Sequence, residues 1–194
     1  VQSVVQMSRA EDIQSFKEGV TGRIQSLARA HSLLAEARWE GVGLDQIVRE
    51  ELAPFRVDGH DRVHLDGDPV RLTPAAAQSV AMVLHELATN AAKYGALSRE
   101  RGQLHVSWSP EADGAIRLNW TEAAGAAATP PTRSGFGSRL IQSSVERQLR
   151  GTLAYHWGAE GLQVQLTMPA EHLLQPAIEQ TAAATRSAAP VASA

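Results

Sequence analysis

Pro74 opens the segment that most constrains the fold, AAAQSVAMVLHELATNAAKYG, which ends at Gly95. A proline in the first turn and a glycine at the end are helix start and stop signals. The spacing predicts one strongly apolar helix, and a helix this apolar needs cover, so it is the central helix of a packed unit. What surrounds it alternates with period two instead. RVHLDG and the short PVRLTP precede the helix. QLHVSWS, AIRLNWTE, GTLAYHW and GLQVQLTM follow it, the last two joined by a GAEG turn. Helices packed on alternating strands give an α+β layered domain. A further helix is expected over Ser138–Leu149, after a loop rich in Ala, Pro and Gly from Ala123 to Ser134.

Upstream the period is helical. Ile13, Phe16, Val20, Ile24, Leu27, Ala30 and Leu34 recur every three or four residues, and Val1, Val4 and Val5 repeat the pattern before the polar break RAED. Two successive helices suggest a helical hairpin. Nothing caps the first of them, so the chain is expected to begin inside a helix and to be part of something longer. WEGVGL, with glycines at 41 and 43, reads as a linker, and a short helix from Leu44 to Leu52 is closed by Pro54. From Gln175 the composition is Ala, Thr, Ser and Pro without apolar period, which reads as a flexible tail. The expected domains are a partial hairpin over 1–43, a layered domain over 44–170 and a tail over 171–194.

Composition narrows the function. Across 194 residues there is no cysteine, which excludes disulfide scaffolds, Cys-ligated metals and thiol nucleophiles and fits a reducing, cytoplasmic setting. The net charge of −3 argues against a nucleic-acid partner. No apolar run approaches the roughly 20 residues that cross a bilayer, so no membrane contact is expected of this segment.

The densest chemistry lies in HELATNAAKYGALS, residues 85–98. On a helix Glu86, Asn90 and Lys93 fall at i, i+4 and i+7, on one face. A carboxylate, an amide oxygen and an ammonium suit a magnesium-bound polyphosphate. The plain alternative is a solvated helix face. Alanines at 88, 91 and 92 leave the stripe uncrowded, and a mid-helix Asn, disfavoured by propensity, asks for a reason. Gly135 and Gly137 stand before the expected helix, where backbone N–H groups and the helix dipole favour phosphate. A Rossmann reading of that Gly-x-Gly fails, because Leu140 occupies the third glycine position and no strand leads into it.

These fourteen residues resemble the N-box of the HWE histidine kinases, a branch of the GHKL ATP-binding superfamily. His85 stands for the family's histidine and Trp120-Thr121-Glu122 for its Trp-x-Glu. LARAHSLL, WEGVGL and GFGSRLI (135–141) continue the likeness in order and spacing over roughly residues 1–168. The resemblance implies a truncated dimerisation and phosphotransfer hairpin followed by a Bergerat-type α/β sandwich that binds ATP. It implies that Asn90 ligates Mg²⁺ and that Glu86 helps place the metal or acts as base, with His85 also in the catalytic box. Lys93 and Tyr94 would face the phosphates, Glu122 would accept the adenine amino hydrogen, and Gly125, Gly135, Phe136, Gly137 and Leu140 would line the nucleotide. One departure stands out: Ala124, Gly125 and Ala126 replace two adjacent glycines and a proline.

The implied activity is that of a sensor histidine kinase of a two-component system. It uses ATP to phosphorylate a histidine and passes the phosphoryl group to the receiver domain of a response regulator. A homodimer through the hairpin and a sensor domain upstream of residue 1 are expected with it. The phosphoacceptor is expected upstream of Val1, so none is assigned in this chain, and His31 reads as a packing or surface histidine. An ATP-binding or partner-docking module without phosphotransfer is the alternative. His60 and His64 share no helical face and lack a third ligand, which argues against zinc.

Overall fold

In a computed structural model of the chain, residues 13–56, 62–131 and 135–174 are described. The expectations for the opening valines, the side chains of Ile13 and Phe16, His60, the end of the 123–134 loop and the tail from 175 fall outside these residues.

The elements run in the order α1 (Ile13–Glu36), β1 (Val42–Gly43), α2 (Leu44–Leu52), β2 (Val63–Gly67), β3 (Arg71–Leu72), α3 (Pro74–Lys93), β4 (Gln103–Pro110), β5 (Ile116–Ala123), α4 (Phe136–Ser143), β6 (Thr152–Trp157) and β7 (Leu162–Met168). Five strands form one sheet in the order β2-β4-β5-β7-β6, with β2 parallel to β4 and the other pairs antiparallel. β1 and β3 form a separate antiparallel pair. The architecture is mixed helix and sheet, with helices on one face of the sheet.

Each element follows from its local pattern. Thr73 caps α3 through its hydroxyl, which accepts from the Ala76 N–H at 3.4 Å, and Pro74 takes the first turn. Alternation along β4 buries Leu104, Val106 and Trp108, and along β5 it buries Ile116, Leu118, Trp120 and Glu122. The apolar ones meet Val80, Ala81, Leu84, Leu87, Ala88 and Ala91 of α3 in one core. Fully burying an aliphatic side chain of this size contributes about 1.5–3 kcal/mol. The alanines let the helix approach the sheet closely enough for Trp120, with no exposed surface, to fill the layer between them.

Two expectations need correction, and a third is met for a reason of space. The helix expected from Ser138 begins at Phe136, which puts Gly137 inside its first turn; it then continues as a π-helical turn over Ser144–Gln148. The buried face of α1 is formed by Arg23, Ser26, Ala30, Leu33 and Leu34, whereas Ile24, placed by periodicity on the buried stripe, is 43% exposed. α1 packs against α3, and that neighbour accepts polar groups from it. Gly95 ends the α3 region without a positive φ; its need for glycine is space, because a Cβ there would overlap the Glu122 carboxylate.

Candidate functional site

α3 carries the candidate site along its length. From Glu86 to its end at Lys93 it advances seven residues, about 10 Å at 1.5 Å per residue. Two clusters of the expected residues lie at the ends of that span.

The first cluster joins α1, α3 and α4. Glu86 is buried, and both its oxygens accept from Arg23 of α1: Nε donates to Oε1 at 2.6 Å and Nη2 to Oε2 at 3.2 Å. The Arg23 guanidinium also lies 3.9 Å from the centre of the Phe136 ring, a cation–π contact. Removing one partner of such a buried pair costs about 3–5 kcal/mol, because the charge left behind has no compensation. Gly137 completes the cluster. A Cβ on it would stand 2.5 Å from Glu86 Oε2 and 3.9 Å from Asn90 Nδ2, so only glycine lets α4 come this close to the carboxylate. Asn90 is half-buried, and its side chain makes no hydrogen bond or ion pair among the described residues.

The second cluster lies where α3 meets the sheet. Glu122 is 4% exposed; its Oε1 accepts from the Trp120 indole N–H at 2.9 Å and its Oε2 from the Ala96 N–H at 2.8 Å. The carboxylate thereby ties the end of β5 to the turn after α3. Lys93 and Tyr94 are exposed at the C-terminal end of α3, Tyr94 at 78%. Gly125 has a φ of +64° with open space where a Cβ would be, so its glycine answers the left-handed backbone and not a close approach. Gly135 precedes α4 and is exposed, Phe136 is half-buried, and Leu140 is buried in that helix.

His85 is not brought to either cluster. Its ring faces α1 and α2: Nδ1 lies 3.3 Å from Glu51 Oε2, and a Cβ on Gly22 would be 2.9 Å from Nε2. Glu51, itself buried, also accepts from Ser26 Oγ at 2.9 Å and Arg29 Nη2 at 2.7 Å. Burial works against its charge. Hydrogen bonds from His85 and Arg29, the Arg29 charge and the Ser26 hydrogen bond outweigh that, and hold the Glu51 carboxyl below its ordinary value of 4.5. A depressed folded value gives stability that is present above the unfolded value and lost as pH falls through the folded one. The melting temperature should therefore fall with acidification below about 4.5, and Glu51→Gln should lower it at neutral pH while flattening that acid limb, measurable by thermal melts across pH.

His31 is exposed and meets Trp39 edge to face at 5.4 Å, as expected of a surface histidine. His64 is exposed on β2, and no group of three or more His, Asp or Glu able to hold a metal occurs among the described residues. Among them too, no helix is long and apolar enough to cross a membrane. Arg23, Ser26 and Glu51 were not singled out by sequence reasoning. Their signal is available, since Arg23, Ser26 and Ala30 recur at i, i+3 and i+7 with polar residues at face positions that helical burial would otherwise fill with apolar ones.

As a donor set, one amide and one carboxylate suit a hard cation held mainly by a substrate's phosphates, not a metal caged by protein alone. Glu86 is the qualification, since it already holds a guanidinium.

Comparison with known proteins bears on the family and the fold. Residues 1–69 match the family described as HWE histidine kinase. The blue-light-activated histidine kinase of Rhizobium johnstonii is 37% identical over 172 residues, covering 87% of this chain and 48% of that protein. That of Brucella ovis is 31% identical over 150 residues, 76% of this chain and 31% of that one. The chain thus spans about half the length, or less, of these curated relatives. Among solved structures, the histidine kinase domain from the Erythrobacter litoralis blue-light activated histidine kinase superposes with a TM-score of 0.65 at 18% identity, covering 88% of this chain and 90% of that one. The structure of that Erythrobacter litoralis kinase itself gives 0.70 at 19% identity, covering 87% and 54%. At these identities the likeness is one of fold, and the fold is the α/β sandwich of such domains with helical elements beside it.

Proposed function

We propose, from the premise that this chain belongs with the HWE histidine kinases, that it binds Mg·ATP along α3 and supplies the catalytic domain for phosphorylating a histidine. Asn90 carries the reading: an amide in the last turn of α3 without a side-chain partner among the described residues, beside a buried carboxylate and a glycine that opens the helix α4 to it. In this reading Asn90 and Glu86 lie at the phosphate end and Glu122 at the base end. The first-turn N–H groups of α4, from Gly135 onward, have no side-chain cap, which supports assigning them to phosphate oxygens. Lys93 and Tyr94 reach the phosphates from solvent. Bound Mg²⁺ would neutralise charge on the phosphates. The protein's own share is positioning and fixed electrostatics, which phosphoryl transfer chiefly demands.

The accepting histidine, the receiver domain that takes the phosphoryl group and a dimer formed through the helical hairpin belong to the same proposal. The outward Ile24 supports the last, because it leaves an apolar position on the face of α1 away from α3. The alternative is a nucleotide-binding module without phosphotransfer, favoured by one observation, the engagement of Glu86 by Arg23.

Incubating the full-length gene product, and this chain separately, with γ-labelled ATP and Mg²⁺ tests the reading. Acid-labile, alkali-stable label is expected on the full-length protein. A folded, ATP-binding protein that takes up no such label would sink the kinase reading and leave the module.

A further inference from the structure

Glu86 is the residue on which the proposed site and the helix α1 make competing demands. Arg23 donates to both of its oxygens through a planar fork, at 2.6 and 3.2 Å, in a pair whose side chains are 10% and 5% exposed. Low exposure keeps water from screening a third charge there. A hard dication at the same carboxylate would bring positive charge beside the guanidinium, so the two are alternatives.

Arg23 does not belong to the sheet-and-helix layer that carries Asn90 and Glu122. It sits on α1, where its guanidinium stacks on Phe136 of α4. A Cβ on Gly19 would stand 3.2 Å from its Nη1, and Gly22, one residue before it, lets α1 come up to the His85 ring. Ser26 Oγ reaches Glu51 at 2.9 Å and the Ala81 carbonyl at 3.5 Å one turn further on. α1 docking and Arg23 placement are therefore one event.

We propose that Arg23 is a positioning residue that competes with a divalent cation for Glu86. With α1 docked, the guanidinium holds the carboxylate and the cation relies on Asn90 alone. Capture of the cation by Glu86 moves Arg23, and with it the 19–27 stretch of α1. The inference rests on the nucleotide reading above. Linkage makes the coupling reciprocal: whatever it costs the cation to displace Arg23, removing Arg23 returns to the cation.

The test is a Mg²⁺ titration of nucleotide binding at fixed concentration of a non-hydrolysable ATP analogue, with amide exchange of α1 read in parallel. Arg23→Met keeps an unbranched apolar side chain and removes the fork together with its cation–π contact on Phe136. Arg23→Lys keeps charge without the bidentate geometry. Arg23→Met is expected to lower the half-saturating Mg²⁺ concentration by about fivefold or more, the lower end of usual coupling between sites. Arg23→Lys falls between it and the wild type, and in a Glu86→Gln background Arg23→Met produces no shift. In the wild type, Mg²⁺ with the analogue speeds exchange over residues 19–27. A merely structural pair would change melting temperature and nucleotide affinity alike with and without Mg²⁺. An unshifted Mg²⁺ midpoint in Arg23→Met, or a shift that persists with Glu86→Gln, overturns the inference while the nucleotide reading stands. Should Arg23→Met not fold, unchanged wild-type exchange in α1 on adding Mg²⁺ and analogue overturns it equally. A wild type with no Mg²⁺-dependent nucleotide binding removes the nucleotide reading itself, and this inference with it.

Discussion

Replacing Asn90 by alanine is expected to weaken Mg²⁺-dependent nucleotide binding by about 100-fold or more, a loss of roughly 2.8 kcal/mol, while the nucleotide-free protein melts at the wild-type temperature or slightly above it. The two halves rest on different observations. The side chain of Asn90 has no hydrogen bond or ion pair among the described residues and is only half-buried, so its removal breaks nothing in the fold. Alanine is also the better helix former, by up to about 0.7 kcal/mol. The binding loss follows from the position, beside Gly137 and one turn beyond Glu86 on the same helix. With Glu86 held by Arg23, Asn90 is the oxygen donor left for a phosphate-bound cation. Calorimetric titration with and without Mg²⁺ measures the first half and a thermal melt the second. Unchanged affinity, or a protein several degrees less stable, would refute the assignment.

The layered α+β fold was legible because its signals are local and repeat: Thr73-Pro74 at the start of α3, strict alternation in β4 and β5, and a glycine-bounded turn before β7. The site was legible where it lies on one element, since helical spacing alone puts Glu86 and Asn90 on neighbouring turns. Partnership across elements was not. Nothing in the spacing of α1 says that its stripe meets a helix carrying a carboxylate, so the pattern gives no sign of Arg23 as a partner and puts Ile24 in the core. His85 shows the same limit, for its neighbours on α3 suggest the nucleotide site while its side chain turns to Glu51 and Gly22. Glu122 was open to a better reading: Ile116, Leu118 and Trp120 set the parity of β5, and a period of two carries residue 122 to the buried face.

That buried position makes Glu122 the second site of large effect. Glu122→Ala should destabilise the protein by about 2–6 kcal/mol, because two buried donors, the Trp120 indole N–H and the Ala96 N–H, each lose their acceptor at about 1–3 kcal/mol. At about 2–4 °C per kcal/mol for a domain of this size, the melt should fall by about 4–24 °C. Glu122→Gln separates the anchor from the proposed adenine contact. Its amide offers one accepting oxygen, so one donor meets an NH₂ group and part of the stability is lost, yet the layer is still filled. Side-chain identity then matters to the base, since an amide presents a donor where the carboxylate only accepts. If Glu122 reads adenine, the preference for ATP over GTP should drop by about tenfold in the folded Gln variant, the worth of roughly one hydrogen bond. Competition binding of the two nucleotides measures that ratio independently of the melt. A folded Glu122→Gln protein with the wild-type ratio would leave the residue as a tie between β5 and the turn after α3, and base selection would have to come from elsewhere in the pocket.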